Sequence, residues 1–214
     1  SAGTLGGAAA DVPDASAAGD ADSNDASSVN SRDSRWKIVA FASHNYLAIT
    51  ERWYDRLTSL GYTEHVVAAM DEALFDALAA KGYRVEDHVV SPSEKPEPGE
   101  PVPGWGRHLW KLWRYRLSYA LRQTQLGVNV FLVDVDTMWN RHVPLRDLFD
   151  GSERDTKSDV FLSQGTVYPP DVFDRWGFVG CMGSVAFRAT PAAQTLLRQA
   201  IRACAEGASC DDQV

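Results

Sequence analysis

Val128-Asn129-Val130-Phe131-Leu132-Val133-Asp134-Val135-Asp136 is the stretch that decides the fold. Its first six residues are nearly all apolar and rich in β-branched side chains, the texture of a strand covered on both faces. It ends on two carboxylates separated by one residue. A strand of that kind belongs to a mostly parallel sheet between two layers of helices, and such sheets bind ligands beyond the carboxyl ends of their strands.

Working outward, the segments on either side alternate between strand and helix signals. Before the strand, a helix is expected over about Arg107–Gln125, stopped by Gly127. Leu109, Trp113, Leu117, Ala120 and Leu121 fill one arc of it, and Lys111, Arg114, Ser118 and Arg122 fill the other. Arg116 falls inside the apolar arc. Further back, Ile38 to Phe41 reads as a strand that ends at Ser43-His44-Asn45, and Tyr46, Ile49, Trp53, Leu57 and Leu60 then recur at helical spacing up to Gly61. His65 to Met70 reads as a second strand, and Asp71 opens a helix that turns Leu74, Phe75 and Leu78 inward. Tyr83 to Val90 is a third strand signal. After the central strand come a short turn at Pro144–Phe149 and strands at Val160–Leu162 and Val185–Phe187. A last helix has Thr190 as N-cap and Pro191 at its first position, with Ala193, Leu196, Leu197, Ala200 and Ile201 inward.

Two segments stand outside this rhythm. Residues 1–34 hold nine Ala, four Gly, seven Ser and six Asp and no aromatic residue, too little apolar surface to offset the entropy of ordering, so they are expected to form a disordered leader or stem. Residues 91–106 hold five of the ten prolines and three glycines, the composition of a long surface loop. The ordered domain is expected over 35–214. The net charge of −8 argues against a nucleic-acid binder, although the first 34 residues carry −5 of it. No run approaches the roughly 18 apolar residues of a membrane span, and no signal peptide opens the chain, so it reads as soluble as given. Starting at Ser1 and stopping at Val214, it reads as a fragment truncated at the C-terminus. Cys181, Cys204 and Cys210 match no zinc spacing; Cys204 and Cys210 could bridge across a helix end, and the plainer reading is free, partly buried thiols.

Two acids at the end of a buried strand direct attention to a hard divalent cation, which takes oxygen ligands and tolerates a diphosphate as co-ligand. With the following Thr137-Met138-Trp139, this stretch resembles the DxD segment of the nucleotide-diphospho-sugar transferases, a family that includes plant and algal cell-wall arabinosyl-, xylosyl- and galactosyltransferases. The resemblance runs over about residues 36–214. Its other anchors are Asn45, Ala69-Met70-Asp71, Gly183, Phe187-Arg188-Ala189-Thr190 and Asp211-Asp212-Gln213.

The resemblance implies an α/β fold of the GT-A, Rossmann-like type, in which a mostly parallel sheet is flanked by helices. It implies Mn2+ or Mg2+ held by Asp134 and Asp136, with Asp136 the direct ligand and Asp134 on metal or ribose. The donor is a nucleotide sugar, expected to be UDP-linked, with Asn45, Asp71 and Arg116 beside it; the family usually has Lys where Arg116 stands. Asp212 and Gln213 resemble the Asp-Gln pair near the donor sugar, the Asp holding hydroxyls and the Gln facing the anomeric carbon. The acceptor is a glycan or glycoprotein hydroxyl, the transfer retains anomeric configuration, and the setting is the Golgi lumen behind an N-terminal anchor absent from this chain. Cys181 stands where the family commonly has Asn, and no histidine, His142 included, is assigned to the metal. Among the tryptophans, Trp113 and Trp139 read as core, and Trp105 and Trp176 as the better acceptor platforms.

Two other readings stay open. A non-catalytic nucleotide- or sugar-binding relative, or an inactive partial product, fits the Cys181 departure and the missing metal histidine. A haloacid-dehalogenase-like phosphatase also places D-x-D after a strand, but wants Thr or Val two places after the second acid, where Met138 stands, and wants the motif near the domain's start.

Overall fold

The sheet is built in the order β3-β2-β1-β4-β6-β5. Its strands are β1 (Trp36–Ala42), β2 (His65–Ala69), β3 (Val85–Asp87), β4 (Asn129–Val133), β5 (Val160–Gln164) and β6 (Gly180–Phe187). The computed structural model describes residues 36–87, 107–149 and 158–205, and of residues 107–111 and 205 only the backbone. The expected leader at 1–34, the loop at 91–106 with Trp105, and Cys210, Asp212 and Gln213 lie outside the described residues.

β1, β2, β3 and β4 run parallel, with β1 between β2 and β4. β6 runs antiparallel to β4, and β5 antiparallel to β6. The sheet is therefore mostly parallel, as expected, with one reversed strand that apolar patterning does not reveal. After β1 the chain moves outward to β2 and β3, then returns to lay β4 on the other side of β1. That reversal makes the carboxyl ends of β1 and β4 the switch point where a crevice opens in such sheets.

Alternation along the strands sends side chains into two cores. Ile38, Ala40, Ala42, Phe131 and Val133 face one layer, made by α1 (Leu47–Ser59), α2 (Glu72–Ala80) and α4 (Leu145–Phe149). Val39, Phe41, Val130, Leu132, Val185 and Phe187 face the other, made by α3 (Arg107–Gln125) and α6 (Pro191–Ala205). A further helix, α5 (Pro170–Trp176), joins β5 to β6 and buries none of its residues. No helix among the described residues is long and apolar enough to cross a membrane.

Several faces differ from the sequence reading. In α1 the buried residues are Thr50, Trp53, Tyr54 and Leu57, while Tyr46 and Ile49 are exposed, because a 3-10 turn at His44–Tyr46 precedes the helix and shifts its phase. In α3 the buried side chains are Arg116, Tyr119, Ala120, Gln123 and Thr124, so its inner face lies one step round from the apolar arc, and Trp113, Leu117 and Leu121 are only partly buried. Polar groups on that face are tied down. Tyr119 donates to Glu86 at 2.8 Å, and Lys37 donates to both Glu86 and Gln123 at 2.9 and 3.1 Å. In α6, Ala193, Leu197 and Cys204 are buried, and Leu196 is exposed. Cys204 is disulfide-bonded and Cys181 is a free thiol, so the reading of free thiols holds for Cys181 and fails for Cys204.

Candidate nucleotide-sugar site

The carboxyl end of β4 is shaped by a tight turn. Thr137 donates its backbone N–H and its hydroxyl to the carbonyl of Asp134, at 3.1 and 2.7 Å, which places Val135 and Asp136 at the turn's tip. Trp139 donates from its indole to the Thr137 hydroxyl at 3.2 Å and sets its ring against Tyr62 and Phe131. Arg56 on α1 holds the outgoing backbone through the carbonyls of Trp139 and Asn140. The Thr137 and Trp139 that follow the acids thus lock the turn to the core, whereas Met138 between them is exposed.

The two acids have different surroundings. Asp134 accepts a hydrogen bond at 2.8 Å from Arg116, whose side chain is 4% exposed against 44% for the acid. A second guanidinium nitrogen of Arg116 donates to the carbonyl of Met182 on β6. Trp113, Leu117, Met182 and Leu197 join Arg116 in lining an apolar cavity of about 260 Å³, and surroundings of that kind strengthen an ion pair. Asp136 is exposed, and among the described residues it has neither a hydrogen-bond nor an ion-pair partner.

Gly183 completes the seat of Asp134. The Asp134 amide donates to the Gly183 carbonyl at 3.0 Å, and a Cβ placed on Gly183 would stand 2.7 Å from Asp134 Oδ2 and 3.3 Å from Cys181 Sγ. No side chain fits there while Asp134 keeps its place. Cys181 is half-buried, and its sulfur accepts from the Gly183 amide at 3.4 Å.

The adjoining strand ends supply the other expected residues. Asp71 caps α2 by accepting from Leu74 N–H at 2.8 Å, and its second oxygen accepts from His44 N–H at 2.8 Å. One carboxylate therefore joins the loops after β1 and β2. Asn45 lies exposed in the 3-10 turn after β1. Arg188 follows the far end of β6, where Phe187 pairs with Val130 near the start of β4, and it donates to the carbonyl of Phe149. It is thus at the opposite end of the sheet from Asp134. His142 packs against the Tyr62 ring, with ring centres 4.6 Å apart.

Asp134 and Asp136 fit one kind of cation. Among the described residues no group of three or more His, Cys, Asp or Glu side chains could hold a metal. A donor set of one or two carboxylates suits Mg2+ or Mn2+ that draws its remaining ligands from phosphate oxygens and water, and does not suit a closed site made of protein.

Residues 61–214 match the nucleotide-diphospho-sugar transferase family. The chain belongs to that family. It is also 27% identical over 169 residues to an arabinosyltransferase of Arabidopsis thaliana, a match that covers 76% of this chain and 24% of the relative. The chain thus spans about a quarter of the length of that curated relative. Among solved structures, one of CMP:2-keto-3-deoxy-manno-octonic acid synthetase complexed with CTP is similar at a TM-score of 0.44 and 14% identity, covering 78% of each chain.

One element is missing from the sequence reading, the helix α5 that ends at Trp176. The segment between β5 and β6 carries Tyr168, Trp176 and Phe178, each about half exposed or more. The signals were Pro169-Pro170, which starts a helix, and Gly177, which ends one at a φ of 75°.

Proposed function

We propose that this chain is the donor-binding part of a metal-dependent glycosyltransferase. In this reading it moves a sugar from a nucleotide-diphospho-sugar, a UDP sugar, to a hydroxyl of a glycan or glycoprotein, with retention of configuration. The observation that carries the reading is the unpartnered, exposed carboxylate of Asp136 at the tip of the turn after β4, beside the sheet's switch point. Family membership and the arabinosyltransferase relative support glycosyl transfer.

In this account Asp136 holds the cation, and Asp134 contacts cation or ribose from a position fixed by Arg116. Mn2+ or Mg2+ held there would supply positive charge against the diphosphate leaving group. Arg116 is a positioning residue here: its guanidinium donates to Asp134 and to the Met182 carbonyl. Asp71 holds the loop that carries Asn45 at the nucleotide's side of the crevice. Asp212 and Gln213 act at the donor sugar, and residues 1–34 are the stem of a domain over 35–214 that works in the Golgi lumen.

The test is transfer from radiolabelled UDP-arabinose, UDP-xylose and UDP-galactose to oligosaccharide acceptors by the full-length protein, with Mn2+ and with chelator. Cation-dependent transfer that is lost in Asp136→Ala supports the reading. Transfer that persists in that variant, or in chelator, contradicts it.

A further inference from the structure

The sheet places a second exposed surface beside the acids. β5 and β4 both run opposite to β6, so the end of β5 and the start of β6 lie at the same end of the sheet as Asp134. The contacts between them are continuous. Gly165 donates to the Val179 carbonyl at 2.7 Å, and a Cβ on Gly165 would touch that of Cys181 at 3.4 Å. Cys181 in turn touches Gly183, which lies against Asp134. Residues 165–179 therefore leave the sheet and rejoin it within one strand of the first acid.

This excursion makes no contribution to the core through its helix, since α5 buries no residue. It is nonetheless well formed: Phe173 donates to Pro169 at its start, and Gly177 donates to Phe173 at 2.7 Å at its end. Its large apolar side chains face solvent, with Tyr168 at 62%, Trp176 at 64% and Phe178 at 49% exposure. Three large apolar side chains exposed within one short excursion offer contact area to a ligand. Flat aromatic rings with polar edges suit a ligand that combines C–H faces with hydroxyls, which describes a sugar ring. The Arg175 guanidinium lies 5.4 Å from the Trp176 ring centre and brings hydrogen-bond donors beside that surface. Asp171 and Asp174 outnumber Arg175 in residues 165–179, giving −1, so the charge disfavours an anionic ligand.

We infer that residues 165–179 bind a neutral glycan chain at the acceptor side of the site, through Tyr168 and Trp176. The inference rests on the proposed function for its direction, and its test separates the two. Arabino-, xylo- and galacto-tetraose are titrated into the full chain and into Trp176→Ala, Tyr168→Ala and Trp176→Phe, with saturation-transfer NMR as the readout and UDP with Mn2+ titrated in parallel. The expected result is that at least one tetraose binds, that each alanine variant weakens it tenfold or more, and that Trp176→Phe restores most of the loss. Sedimentation is run on the same samples. A folded chain that binds none of the three sugars overturns the inference. So does sugar binding that Trp176→Ala leaves intact, or self-association of the chain that Trp176→Ala abolishes. Sugar binding without UDP binding would remove the transferase reading and keep this one; UDP binding without sugar binding would do the reverse.

Discussion

Arg116, almost entirely buried on α3, donates to Asp134 at 2.8 Å across 18 residues of sequence, while the same guanidinium holds the carbonyl of Met182 on β6. One cation thereby fixes the first acid of the turn and the strand facing it. The two acids consequently differ in what their removal does.

Asp134→Ala leaves a buried guanidinium without its counter-charge. Because Asp134 is itself partly exposed, the expected loss is about 2 kcal/mol rather than the larger value of a fully buried pair. Asp136→Ala removes an exposed, unpartnered carboxylate and is expected to change stability by no more than about 0.5 kcal/mol. Urea unfolding of the two variants checks the contrast, and equal losses would contradict the clamp.

Gly183→Ala puts a methyl group 2.7 Å from Asp134 Oδ2, so the acid must move. The expected outcome is a fold retained by circular dichroism, with Mn2+-dependent nucleotide binding weakened by roughly tenfold or more, as for other groups that orient a metal ligand. Unchanged affinity would show that the position of Asp134 is unimportant.

Asp71→Ala removes both the cap of α2 and the acceptor for His44 N–H, with an expected loss of about 1 kcal/mol. Asp71→Asn keeps an acceptor oxygen and recovers part of it. Amide exchange at Leu74 and His44 reads the two bonds separately, and should rise at both in the alanine variant.

His65 is buried between Trp53 and Tyr54, with Nε2 3.2 Å from the Thr58 hydroxyl and, among the described residues, no hydrogen-bond partner for Nδ1. Burial, with Arg84 nearby, pushes its pKa below 6.5. The unfolded chain therefore binds the proton more readily, so this contribution to stability is complete above the unfolded value and falls as pH drops below it toward the folded value. Denaturation at about pH 7.5 and about pH 5.5 should show the wild type losing stability on acidification, and His65→Leu losing less. An unchanged pH slope in the variant would assign the loss to other groups.

Much of this arrangement was legible in the sequence, for identifiable reasons. β1, β2 and β4 are apolar runs bounded by polar turns, and α3 ends at a glycine with a φ of 77°. Arg116 stood out because a charge inside an apolar arc must find a partner within the fold. Its second partner, the Met182 carbonyl, is backbone and leaves no mark in the sequence. The reversed direction of β6 is equally silent, because alternation is the same read either way along a strand. Helix α5 escaped because a helix that buries nothing has no apolar periodicity. Leu196 was placed inward by spacing, yet it borders the cavity beside α3 and is exposed.

Calorimetric titration of UDP into the folded chain, with and without Mn2+, for wild type and Asp136→Ala, tests the central claim most directly. The account predicts binding that requires both the cation and the Asp136 carboxylate. UDP binding of equal strength without Mn2+ or in Asp136→Ala, or no binding by a folded wild-type chain, would contradict it.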